Sequence, residues 1–112
     1  MREICDSAAL VDRGKGIRFM VERQGETLPA FAIRYGGRVY AYLNQCPHLG
    51  SQLDWIEGEF FDSAALLLIC ATHGATFAPD SGYCVSGPCK GQALERLSTR
   101  GSRKNLLNRA MQ

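Results

Sequence analysis

Both histidines of this 112-residue chain stand within three residues of a cysteine, in the blocks Cys46-Pro47-His48 and Cys70-Ala71-Thr72-His73. Twenty-one residues separate the blocks. Two soft thiols and two imidazoles grouped in this way restrict the chain to a few chemistries. The pairs are unrelated buried residues, or a tetrahedral zinc site, or the ligands of an iron–sulfur cluster. Structural zinc sites usually draw their ligand pairs two to four residues apart. An iron–sulfur cluster takes thiolates readily, and exchanging two thiolates on one iron for imidazoles gives a distinct variant with a higher potential. In that arrangement Cys46 and Cys70 converge on one iron while His48 and His73 reach the other.

The setting of the pairs fits loops at strand ends. Residues 17–23 alternate apolar and polar side chains over most of their length, as a half-buried strand does. Residues 28–35 and 38–43 are rich in aromatic and branched residues, and Gly36-Gly37 between them has the spacing of a tight hairpin. The first Cys/His block follows the second arm directly. The apolar run 65–69 reads as a buried strand, and Cys70 comes at its end. Residues 75–77 and 82–85 read as two short strands around the turn Pro79-Asp80-Ser81-Gly82. A last strand is expected over 93–98. Residues 51–62 read as a loop in which Trp55, Phe60 and Phe61 serve as core or anchoring residues. The tail from Gly101 to Gln112 is expected either to form a short helix capped by Ser102, with Leu106, Leu107, Ala110 and Met111 on one side, or to fray. The organisation expected is one domain over residues 1–100 and a basic tail over 101–112.

Several partner classes are excluded at this level. The longest apolar run, 64–71, is eight residues, far too short to cross a bilayer as a helix. The start Met1-Arg2-Glu3, with Asp6 and Asp12 close behind, lacks the apolar stretch of an export signal, so a cytoplasmic protein is expected. Six basic residues near the C-terminus without interleaved aromatics do not make a nucleic-acid surface. Residues 40–89 contain no Lys or Arg but hold Asp54, Glu57, Glu59, Asp62 and Asp80, a pattern that would steer a partner with a basic docking face. Cys84 and Cys89 flank Gly87-Pro88 and can bridge, although a reducing compartment would keep them as thiols. Cys5 reads as a free thiol.

Cys46-Pro47-His48-Leu49-Gly50 and Cys70-Ala71-Thr72-His73-Gly74 resemble the two cluster-binding boxes of the Rieske ferredoxin family. Gly82-Tyr83-Cys84, followed by Gly87-Pro88, is similar to that family's proline-containing covering loop. The likeness runs over roughly residues 17–98. It implies an all-β fold, an antiparallel β-sandwich carrying a small cluster-binding subdomain. It also implies one [2Fe–2S] cluster per chain, bound by Cys46, His48, Cys70 and His73, with the imidazoles ligating through their δ nitrogens. The function implied is one-electron transfer from a reductase to an oxygenase or similar acceptor, not catalysis by this chain alone. Two rivals stay open: a non-catalytic Rieske subunit or redox sensor in a larger complex, and a zinc-stabilised binding module. Neither box holds the second cysteine that respiratory Rieske proteins use for a disulfide, Ser51 standing in the first box. Ala75 and Phe77 replace the hydroxyl donors that follow the second box in those proteins. Fewer donors and nearby carboxylates imply a potential near the low end of the range of about −150 to +300 mV. The interval between the boxes is a few residues longer than in compact members, with 58–63 the expected insertion.

Overall fold

The computed structural model describes residues 2–6, 10–47, 51–72, 74–97, 99–101 and 105–108. Its described residues form ten strands and no helix: β1 (Arg2–Asp6), β2 (Ile17–Arg23), β3 (Glu26–Tyr35), β4 (Arg38–Leu43), β5 (Leu68–Ile69), β6 (Thr76–Phe77), β7 (Cys84–Ser86), β8 (Arg96–Leu97), β9 (Thr99–Gly101) and β10 (Asn105–Asn108). They make three antiparallel sheets, in the orders β1-β10-β9, β2-β3-β4-β8 and β5-β6-β7. The fold is all-β, as expected.

The β2-β3-β4 meander is the base on which the rest is built. Gly36 and Gly37 take φ of 60° and 81°, the two positive values that a two-residue turn needs to match the twist of its arms, so Tyr35 pairs with Arg38. Both faces of β3 and β4 are covered, and the period of two sorts their side chains by size. Phe31, Ile33 and Tyr42 enter one core, while Ala30, Ala32, Ala41 and Leu43 join Leu10, Val21 and Leu97 in the other. The large-residue face carries the β5-β6-β7 sheet and its loops, including Leu53, Phe60, Leu68, Phe77 and all of Cys46, Cys70, Cys84 and Cys89. The small sheet is therefore a subdomain seated on an aromatic platform.

Tyr42 locks the two parts together. Its ring is fully buried, and its hydroxyl donates 2.7 Å to the carbonyl of Pro79 in the turn between β6 and β7. Burial raises the phenol pKa well above its ordinary value. Tyr42→Phe keeps the ring but leaves the buried Pro79 carbonyl without this donor, a loss of about 1–2 kcal/mol. Urea unfolding of the two proteins side by side measures it; identical midpoints would contradict the tie.

Three sequence expectations are corrected here. The run 65–69 does not form a strand throughout: Ala65 takes φ of 58°, and the Asp62 carboxylate accepts from the amides of Leu66 and Leu67. That local competition holds the first part of the run in a turn, and only Leu68–Ile69 pairs. In the tail, Asn105–Asn108 is a strand and not part of a helix, paired to β1 and β9. Of the strand expected over 93–98, Arg96–Leu97 is strand while Ser98 lies outside the described residues, and β9 and β10 follow.

Candidate metal centre

The chain enters the first Cys/His block through Asn44, which is fully buried. Its amide oxygen accepts from the Leu53 amide at 2.8 Å and its amide nitrogen donates to Asp54 Oδ1 at 3.0 Å. Asp54 Oδ2 in turn accepts from Arg18 Nε at 2.8 Å and from the Gly58 amide at 2.9 Å. A second Arg18 bond, 2.9 Å to the Asp54 carbonyl, fixes the guanidinium. Burial alone would raise the Asp54 carboxyl, but the hydrogen bonds from Arg18, Asn44 and Gly58 outweigh it and hold the carboxyl below its usual range. Asp54 is therefore a structural member and not part of the acidic surface to which its sequence position assigned it.

Two loops of equal span carry the cysteines. The Cys46 amide donates to the Ser51 carbonyl at 2.7 Å, and the Cys70 amide donates to the Ala75 carbonyl at 2.8 Å. Each block is thus closed from its cysteine to the fifth residue after it. The Gly74 amide donates back to the Cys70 carbonyl at 2.8 Å, tightening the second loop. The loops are joined through Leu53, whose carbonyl accepts from the Ala71 amide at 2.9 Å, and through the Trp55 indole, which donates to Thr72 Oγ1 at 3.0 Å. Trp55 is a surface strut, 74% exposed, while Phe60 is core and Phe61 stacks on Tyr35.

Of the four residues that the sequence singles out, the structure brings Cys46 and Cys70 into one core, 1% and 0% exposed. His48 and His73 lie outside the described residues. Sequence reasoning missed the closeness of the third loop. Cys84 and Cys89 are buried free thiols whose sulfurs lie 3.4 Å apart, and Cys89 also hydrogen-bonds Cys46. Burial, with those neighbouring thiols, pushes the Cys89 thiol up to about 12. The signal available was Gly87-Pro88-Cys89 itself: Gly87 takes φ of 101° and a Cβ there would sit 2.7 Å from Ala75 Cα, so only glycine lets this loop press on the closure of the second block.

The donor set suits a cluster with two thiolate ligands on one iron. Cys46 and Cys70 are buried, unbridged and held on matched loops. Ser51 Oγ is buried beside the first loop with no hydrogen-bond partner among the described residues, an orphan that an acceptor such as a sulfide or thiolate would satisfy. Among the described residues no three His, Cys, Asp or Glu side chains are placed to hold a metal ion by themselves, and Cys46, Cys84 and Cys89 accordingly do not make such a site. None of the described residues forms a helix long and apolar enough to cross a membrane.

Comparison with known proteins agrees with this architecture. No curated protein sequence matches the chain. Among solved structures, a chain in the complex of reduced oxygenase and oxidised ferredoxin of carbazole 1,9a-dioxygenase is 22% identical, with a TM-score of 0.70 over 93% of this chain and 96% of that one. The ferredoxin of carbazole 1,9a-dioxygenase from Nocardioides aromaticivorans IC177 is 19% identical, TM-score 0.68, over 96% and 97%. The Sphingomonas yanoikuyae B1 ferredoxin is 16% identical, TM-score 0.72, over 95% and 94%. At these identities the likeness establishes the fold. The model of the Rieske [2Fe-2S] domain matches residues 3–100, nearly the whole chain, so this protein belongs to the Rieske [2Fe–2S] domain family.

Proposed function

We propose that the chain is a one-electron carrier holding one Rieske-type [2Fe–2S] cluster through Cys46, His48, Cys70 and His73, and that it passes electrons from a reductase to an oxygenase or similar acceptor. The observation that carries this reading is the pair of matched loops, each closed over five residues, that present Cys46 and Cys70 in one dry core. When bound, the cluster supplies a single reversible electron and the protein supplies everything else. Cys46 and Cys70 provide the two thiolates of one iron, and His48 and His73 the imidazoles of the other. Leu53, Phe77 and Leu94, packed around the cysteines, exclude water from their sulfurs. The hydrogen bonds between the loops hold the donors in place whichever charge the centre carries. The likeness to two ferredoxins over nearly their whole length supports a carrier.

Glu57, Glu59 and Asp80 are exposed, and no Lys or Arg lies between residues 40 and 89. These charges favour a partner with a basic docking face and an association that slows as salt is added. Cys84 and Cys89, buried side by side as free thiols outside the ligand set, suit a reducing compartment such as the cytoplasm.

Electron paramagnetic resonance of the dithionite-reduced protein tests the assignment. A Rieske-type signal is expected, with its average g below that of a four-cysteine cluster. His48→Cys is expected to abolish that signal or convert it towards the four-cysteine kind. An unchanged signal in His48→Cys would remove His48 from the ligand set, and a colourless zinc-loaded wild type would sink electron transfer altogether.

A further inference from the structure

The proposed ligand set leaves Cys84 and Cys89 without a role, although both are 1% exposed and share the core of Cys46 and Cys70. Cys84 Sγ lies 3.4 Å from Cys89 Sγ and also donates to the Ser86 carbonyl at 3.3 Å, which can only accept, so the one Cys84 hydrogen has a partner there. Cys89 keeps its own hydrogen, and its other hydrogen-bonded neighbour is Cys46, whose sulfur as a ligand would carry no hydrogen and could only accept. We propose that Cys89 is a positioning residue for the redox centre, its S–H donating to the Cys46 sulfur and raising the reduction potential. The inference rests on Cys46 being a ligand, as argued above.

The loop that carries the donor is held in place along its length. The Cys84 amide donates to the Gln92 carbonyl at 2.8 Å, the Gln92 amide to the Cys89 carbonyl at 2.9 Å and the Lys90 amide to the Gly87 carbonyl at 3.2 Å. Thr76 Oγ1 and Ser86 Oγ lie 2.5 Å apart and clip β7 to β6. Gly87 rests on Ala75, where the second block closes. Such a loop cannot swing its thiol away without breaking its own backbone bonds. A thiol carries its proton at neutral pH and is a weak donor, but a dry core strengthens what it does donate. Donation to a ligand sulfur draws charge off the iron and favours the more negative, reduced state. Ala75 and Phe77 supply no side-chain donor to the centre, so the thiol takes on that task from the other side.

The test compares Cys89→Ala and Cys89→Ser in the cluster-loaded protein, by reduction potential and by the paramagnetic spectrum, with alkylation of the denatured wild type to count thiols without reductant. Both Cys84 and Cys89 are expected to alkylate; a disulfide between them would remove the donor and overturn the proposal. Cys89→Ala is expected to keep a Rieske-type spectrum and shift the reduction equilibrium about tenfold towards the oxidised form, ~59 mV for one electron. Cys89→Ser keeps a donor and is expected to stay near the wild-type potential. An unchanged potential in Cys89→Ala, an equal fall in both variants, or loss of the cluster from both overturns the proposal, the last because it would make Cys89 a ligand or a structural part. A wild type without the Rieske-type spectrum fails at the earlier step and condemns the ligand assignment instead.

Discussion

Phe60→Ala is expected to destabilise the protein by about 3–5 kcal/mol, the range for deleting a fully buried aromatic ring. Phe60 is 0% exposed and stacks on Phe31 with ring centroids 4.0 Å apart and planes inclined by 12°. Truncation opens a cavity against the platform of β3 and β4 and removes an aromatic pair worth about 0.5–1.5 kcal/mol beyond its area. The backbone of Phe60 also matters for the site, since its carbonyl accepts from the Ile69 amide at 2.9 Å, one residue before Cys70. A ring that no longer fixes residue 60 therefore loosens the approach to the second cysteine loop. For a chain of this size the loss amounts to a fall in Tm on the order of 15 °C. Thermal and guanidinium unfolding of the loaded protein, followed by far-ultraviolet circular dichroism and by the visible absorption of the cluster, measures both effects. Phe60→Leu should recover most of the stability. A loss below about 1 kcal/mol in Phe60→Ala would show that the platform is not held by this ring.

That prediction concerns a segment whose sequence says little about its structure. Residues 51–62 read as a loop, and a loop they are, but nothing local distinguishes buried Phe60 from exposed Trp55. The difference is made by β3, far away in the chain, which places Phe31 under one of them. Elements governed by local rules were legible. The Gly36-Gly37 hairpin follows from the backbone alone, and the strands flanking the Pro79–Gly82 turn follow from turn chemistry. The Asp62 side chain that spoils the first half of the apolar run 65–69 was also a local signal, an Asx-type cap just ahead of the run. The tail was not legible, because β10 owes its existence to β1, a partner some hundred residues earlier. A segment of that length has no stable helix to fall back on. At the site, residue types and spacing pointed to both cysteine loops before any geometry was known. The third loop's thiols stayed hidden because Cys89 meets Cys46 only once Gly87 has seated the loop on Ala75.

Arg18→Met is expected to cost about 2–3 kcal/mol at neutral pH, the scale of hydrogen bonds made to a charged group. Asp54 has a side chain with no exposure, and Arg18, about one-third exposed, gives it both its countercharge and its shortest hydrogen bond. Methionine covers the same surface but leaves a buried carboxylate with only Asn44 and the Gly58 amide. Breaking one side of such a pair costs more than the pair contributes, because the remaining charge is stranded. The pH dependence separates this from simple loss of packing. In the wild type the Asp54 pKa is lowered on folding, so its stabilising contribution is complete above the unfolded value of about 3.9 and is lost as pH falls below that value through the folded one. In Arg18→Met, burial is no longer outweighed to the same degree and the folded pKa moves up. The variant's deficit should then be largest near pH 7 and shrink below about pH 4, where a protonated Asp54 no longer needs the guanidinium. Urea midpoints of both proteins between pH 3 and 7 read this directly. A deficit that stays constant across the range would assign the role of Arg18 to its aliphatic stem. Because Asp54 also holds Asn44, two residues ahead of Cys46, the same titration should loosen the first cysteine loop. Cluster loss in acid is therefore expected to set in at higher pH in Arg18→Met than in the wild type.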